Sequence, residues 1–205
     1  MEISINCHSS IKIVSDKIIY FDPFKIDKEV HDADIIFITH DHYDHFSIED
    51  IKKVEKDDTV YVIPECMYNL LGGENVVVLS AGEKAVVEGY EVYTIASYNV
   101  GKQFHTKEMG YLGYLVKIED QIVYVAGDCD MNEDNLRIKC DIALVPVGGK
   151  YTMDYRQAAD LVNSIKPKLA IPTHYGDIVG DMDCGDRFIE LVDKDITTEL
   201  KIGLQ

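Results

Sequence analysis

Apolar residues along this chain fall in short, strand-length runs separated by polar turns, with helical spacing in only a few places. Glu2-Ile3-Ser4-Ile5 alternates, and Ile11-Lys12-Ile13-Val14 and Ile18-Ile19-Tyr20-Phe21 follow, the last two joined by Ser15-Asp16-Lys17. Together they predict an antiparallel meander. Ile35-Ile36-Phe37-Ile38 is unbroken and reads as a buried strand. Ser47, with Asp50 at the third helical position, predicts the start of a helix. Strands are expected over 59–63 and 76–79, separated by a short helix over 66–71 that Gly72-Gly73 stops. Two hairpins follow: 85–87 with 90–96 around Glu88-Gly89, and 111–118 with 122–125 around Glu119-Asp120-Gln121.

A polar loop, 97–110, lies between those hairpins. After the second, the pattern predicts a helix over 131–136, strands over 142–145 and 168–171, and a closing helix near 184–192. Between the two strands, a helix beginning at Thr152-Met153-Asp154-Tyr155 places Ala158, Ala159, Leu161, Val162 and Ile165 on one face. Hairpins alternating with helices indicate an α/β class. The 205 residues contain no repeat or low-complexity segment, so 1–205 is expected to be one domain.

The chemistry gathers behind the unbroken strand. In His40-Asp41-His42-Tyr43-Asp44-His45, three of the chain's seven histidines sit in one short segment. His40 and His42, two apart, share a direction in an extended chain, whereas Asp44 and His45 must turn elsewhere, so one segment could feed two neighbouring metal positions. Imidazole with carboxylate suits zinc, and also manganese, iron or nickel. Two further strands end the same way, one in Gly127-Asp128 and one in Thr173-His174. His8, alone in a loop, is more commonly a surface residue than a ligand, with a lesser expectation of lining a pocket. Asp22, before Pro23, is either a turn former or the acceptor that holds an imidazole N–H. Lys150 and Tyr151, in a glycine-rich loop, could hold an anionic group, and Tyr175 could line the same pocket.

Charge narrows the partners. With 37 Asp+Glu against 20 Lys+Arg, the net charge is -17, which repels phosphate backbones and anionic lipids. A small-molecule substrate is therefore expected, without nucleic acid or membrane; homo-oligomerisation stays open. The five cysteines are scattered and lack a C-x-x-C pair, as expected of reduced thiols in the cytoplasm. No signal-like segment, G-x-S-x-G elbow or Walker loop is present.

The motif His40-x-His42-x-Asp44-His45, followed in order by Gly127-Asp128 and His174, resembles the ligand pattern of the metallo-β-lactamase superfamily. Asp22-Pro23-Phe24, the stretch 148–154 and the stretch 171–176 resemble its UlaG-like, zinc-dependent hydrolase branch. The resemblance implies an αββα sandwich, two mixed sheets flanked by helices. It further implies one or two zinc ions: His40 and His42 on the first, Asp44, His45 and His174 on the second, Asp128 between them, and Asp22 supporting. The family supplies another histidine to the first ion after the strand ending near Ala96. Here Tyr98 stands about there, and His105 in the following loop is the candidate replacement.

What the resemblance implies for activity is a metal-bound hydroxide attacking a small ester, lactone or phosphodiester, with Asp44 orienting the water or accepting its proton. The alternatives are a non-catalytic metal-binding protein that kept the fold, and a nucleic-acid phosphodiesterase.

Overall fold

Strands predicted from alternation assemble into two mixed sheets. The computed structural model describes residues 1–202; residues 203–205, the end of the span expected to be one domain, lie outside the described residues. In the first sheet, β1 (Glu2–Ile5), β2 (Ile11–Val14) and β3 (Ile18–Phe21) form the expected antiparallel meander, and β4 (Ala33–Phe37), β5 (Glu55–Pro64) and β6 (Val76–Leu79) continue it in parallel from β3. The second sheet runs antiparallel through β7 (Lys84–Val87), β8 (Tyr90–Ala96), β9 (Leu112–Ile118) and β10 (Gln121–Val125). It then runs parallel through β11 (Ile142–Pro146), β12 (Leu169–Thr173) and β13 (Thr197–Thr198).

The inward faces of both sheets share one core, including Ile13, Phe21, Phe37, Val92, Tyr114 and Ile171. Helix α1 (Ile48–Val54) covers the outside of the first sheet, packing with Ile36, Ile38 and Ile63. Helices α2 (Tyr155–Ile165) and α3 (Cys184–Leu191) cover the outside of the second. The predicted apolar face of α2, Ala158 through Ile165, is the face that is buried. This is the expected αββα layering.

Parallel pairing decides where the chemistry lies. The C-terminal ends of β3 and β4 share one edge of their sheet, and those of β8, β10 and β12 share one edge of the other. Beneath them, Phe21 and Phe37 stack at 4.7 Å, and Tyr114 packs edge-on to Phe37 at 5.1 Å. The Tyr114 hydroxyl donates across the sandwich to the Ile38 carbonyl at 2.7 Å, tying the sheets together one residue before Thr39. Each such buried ring contributes about 1.5–3 kcal/mol.

Local expectations fail in three places. Residues 66–71 and 131–136 do not form α-helices; each region holds only a single 3₁₀ turn, Glu65–Met67 and Asn135–Arg137. The first segment is too short to offset helix nucleation before the glycine pair. In the second, Asn132 Oδ1 accepts from the Asp134 and Asn135 amides, 3.0 Å each, so a side-chain turn displaces the helix. Ser47 does cap α1, but Asp50 reaches back to its hydroxyl (2.7 Å) and not to its amide as a capping-box partner would, and its carboxylate also accepts the Lys25 and Ile26 amides.

Candidate metal centre

Asp22 and Thr39 organise the centre. Asp22 ends β3 in left-handed backbone (φ 46) and accepts the Thr39 amide (2.8 Å), the Thr39 hydroxyl (2.6 Å) and His45 Nδ1 (2.7 Å). Thr39 spends its one hydroxyl proton on Asp22, so its oxygen accepts from His40 Nδ1 at 2.9 Å. Both imidazoles therefore carry their proton on Nδ1, and Nε2 of each faces inward. Gly127, at φ 65, lets the end of β10 pass this hub; a Cβ there would lie 3.1 Å from both Thr39 Cβ and Ser97 Oγ.

Loop 97–110 brings in His105. His105 Nδ1 lies 3.1 Å from the Tyr151 carbonyl, which only an N–H can satisfy, leaving Nε2 free. That Nε2 is 3.0 Å from His42 Nδ1, which is itself 3.1 Å from His40 Nε2. Three ring nitrogens thus converge from two distant segments. The loop is held by Asn99, which bonds the Phe104 and Tyr151 carbonyls, and by Lys102, which reaches buried Asp130 (2.6 Å) and the Thr152 carbonyl (2.8 Å).

A second cluster gathers His8, Asp44, His45 and His174, with donor atoms all within 4.8 Å of one another. His8 Nε2 is 3.2 Å and His45 Nε2 3.8 Å from Asp44 Oδ2. Asp128 stands between the clusters: its carboxylate is 3.0 Å from His174 Nε2, 3.3 Å from His45 Nε2, 3.6 Å from His105 Nε2 and 3.9 Å from His40 Nε2. The His174 loop depends on Gly148, where a Cβ would come within 2.2 Å of the His174 carbonyl.

These donors fit a metal. Both nitrogens of His8 and of His174, His45 Nε2 and Asp128 Oδ1 are buried with no aligned hydrogen-bond partner, a costly arrangement unless a cation satisfies those that converge. Burial, with the charge of neighbouring His45, pushes His40 well below histidine's ordinary range, and burial also lowers His8 and His105. Neutral imidazole is the ligating form. Burial opposes the proton of His45 as well, yet the Asp128 and Asp22 carboxylates hold it well above that range. Asp128 stays ionised far below the usual carboxylate value, because His174 and His45 outweigh its burial.

A cavity of about 340 Å³ opens onto both clusters, with His42, Asp44, His105, Asp128 and His174 at its base. Tyr43, Phe104, Lys150, Tyr151, Ile178 and Val179 form its walls. A larger shallow groove near His31 and Lys56 carries no such convergence of donors.

Of the predicted residues, His40, His42, His45, Asp44, Asp128, His174 and His105 come together, Asp22 supports them, and Lys150 and Tyr151 line the cavity. Two do not. Ser97 Oγ donates to the Ala126 carbonyl on the centre's side, so Tyr98, next in an extended chain, faces away and lies under Lys107 Nζ at 4.7 Å. Tyr175 is buried against α3, its hydroxyl filling the space beside Gly185. Residue patterns alone missed Thr39, Lys102 and Asp130. Thr39 was signalled by its place directly before the motif; the Lys102–Asp130 pair carried no local signal.

Comparison with known proteins places this geometry. The beta-lactamase superfamily domain matches residues 2–174. The chain is 31% identical to the UPF0173 metal-dependent hydrolase of Lysinibacillus sphaericus across 99% of this chain and 97% of that protein. It is 35% identical to the one from Sulfolobus acidocaldarius across 75% and 70%. The solved structure of a novel metallo hydrolase from Ignicoccus hospitalis shares the fold with a TM-score of 0.78 at 20% identity, covering 98% of this chain and 94% of that one.

Proposed function

The chain belongs to the beta-lactamase superfamily and, within it, to the UPF0173 metal-dependent hydrolases, and from that premise we propose that it uses zinc at two adjacent positions to hydrolyse a small ester, lactone or phosphodiester. The observation that carries the reading is the convergence of His40, His42 and His105 nitrogens whose partner nitrogens, in His40 and His105, are already committed to Thr39 and Tyr151. His42 Nδ1 faces both of the other nitrogens near 3 Å and can donate a proton to only one of them, so a shared cation is what satisfies all three together.

In this reading His40, His42 and His105 would hold the first ion and Asp44, His45 and His174 the second, with Asp128, between the clusters, as a donor available to either. Bound metal supplies an acidified water as nucleophile and polarises the substrate's carbonyl or phosphoryl oxygen. Asp44, whose carboxylate also reaches the cavity, would orient that water, or take its proton where it is not held tightly as a ligand. Lys150, whose ammonium lies 4.9 Å above the Tyr151 ring, neutralises an anionic group of the substrate. Tyr43, Phe104 and Tyr151 enclose its apolar part. Cavity size and the net charge of -17 favour a small substrate over a polyanion. Against the non-catalytic alternative, His105 Nε2 lies 3.0 Å from His42 Nδ1 and can supply the ligand that the motif lacked. We assign the chain to the UlaG-like branch and to the cytoplasm on the same footing.

Turnover of aryl esters, aliphatic lactones and bis(p-nitrophenyl) phosphate by the zinc-loaded protein tests this, with Asp128→Asn as control. One class should be hydrolysed, and chelation or Asp128→Asn should abolish it. Two ions bound with no turnover of any class would sink the reading.

A further inference from the structure

His8 lies outside the ligand set that the motifs define, in the turn between β1 and β2, yet its ring is completely buried. Neither of its nitrogens has an aligned hydrogen-bond partner. Its backbone adopts the left-handed region (φ 51), and its carbonyl accepts the His174 amide at 2.8 Å, locking the two loops together. The rings of His8 and His174 are 3.7 Å apart, and His8 Nε2 is 3.2 Å from Asp44 Oδ2. A tetrahedral site with metal–donor bonds near 2.1 Å places its donors ~3.4 Å apart. The His8–Asp44 separation of 3.2 Å and the His45–Asp44 separation of 3.8 Å bracket that value.

We propose that His8 is a direct metal ligand and completes a closed second position with Asp44, His45 and His174, while the first position, with three histidines, keeps the exchangeable place for water or substrate. The inference rests on the two-position reading above. It makes the two positions unequal: four convergent donors, from His8, Asp44, His45 and His174, at one, and three, from His40, His42 and His105, at the other. Closed sites are the structural type and open ones the catalytic type, so the second ion should exchange slowly and the first readily.

The test is metal binding to stripped protein, by elemental analysis, competitive chelator titration and cobalt(II) absorption, for wild type, His8→Ala and His8→Gln. Glutamine retains the bulk of the side chain and can still hydrogen-bond Asp44, but is a poor ligand. Altering a residue that merely orients a ligand weakens metal binding by about 10–100-fold. Loss of a ligand should exceed that in both variants, with the second cobalt band lost and the first ion retained. Wild-type affinity in either variant overturns the assignment of His8 and leaves the two-metal reading standing. Restoration by glutamine alone would show that His8 positions Asp44 and does not bind metal. Wild type that takes up no ion defeats both readings.

Discussion

His45 gives its Nδ1 proton to Asp22 at 2.7 Å, and both side chains are essentially inaccessible to water. This single bond sets the tautomer that turns His45 Nε2 toward Asp128 and the second cluster. Asp22→Asn keeps the shape but removes the charge that holds that tautomer. Metal affinity at the second position should fall about 10–100-fold, read by chelator competition; an unchanged affinity would show that Asp22 serves only the turn.

His105 and Tyr98 compete for one role on sequence grounds, and the structure separates them. His105→Ala should lower the metal content by one ion per chain. Tyr98→Phe should leave it unchanged, since that ring lies under Lys107. Elemental analysis of the two variants decides this, and the reverse result would refute the loop's placement.

Lys102 has no contact with either cluster but pins the loop that carries His105. Lys102→Met leaves the Asp130 carboxylate buried without its cation and should cost about 1–3 kcal/mol, less than a fully buried pair because Lys102 is part exposed. First-position affinity should drop with it, and Lys102→Arg should restore part of both. Urea denaturation and metal titration report the two effects separately.

Gly148→Ala should destabilise by about 1–3 kcal/mol, because its Cβ would collide with the backbone carbonyl of His174. A thermal midpoint equal to wild type would mean the His174 loop yields freely, in which case it could not hold a rigid ligand.

In the metal-stripped protein, His45 is held protonated by Asp128 and Asp22. Metal must displace the Nε2 proton, so binding at neutral pH should release protons and weaken as the pH falls. Calorimetry in two buffers of different ionisation enthalpy measures this release directly. Stability of the stripped protein follows from the signs. His8, His40 and His105 have lowered values, so below about pH 6.5 the unfolded chain takes up protons that the folded one refuses, and stability falls. His45 has a raised value and works the other way, contributing stability that is lost as the pH climbs through it. Below about pH 6.5 the His45 contribution is already complete, so the three lowered histidines predict a net loss on acidification, visible as a falling denaturation midpoint.

The sequence by itself determined the strands, the α/β class and most of the centre. A strand buried on both faces has an unbroken apolar signature, and metal chemistry concentrates its ligands in one short segment behind it, so residues 35–45 could be read locally. Asp128 and His174 were legible for the same reason, each standing at the end of such a strand. Only the tertiary structure decided His8 and His105. A loop histidine looks the same in sequence whether it faces water or a cation, and what turns these two inward is long-range: the His8 carbonyl on the His174 amide, and Lys102 on Asp130. The failed helices at 66–71 and 131–136 have a related cause, since side-chain and glycine effects outweighed a weak helical propensity. Local pattern encodes what a segment does with its own backbone, whereas the direction of a loop side chain is set by contacts made only once the sheets have closed.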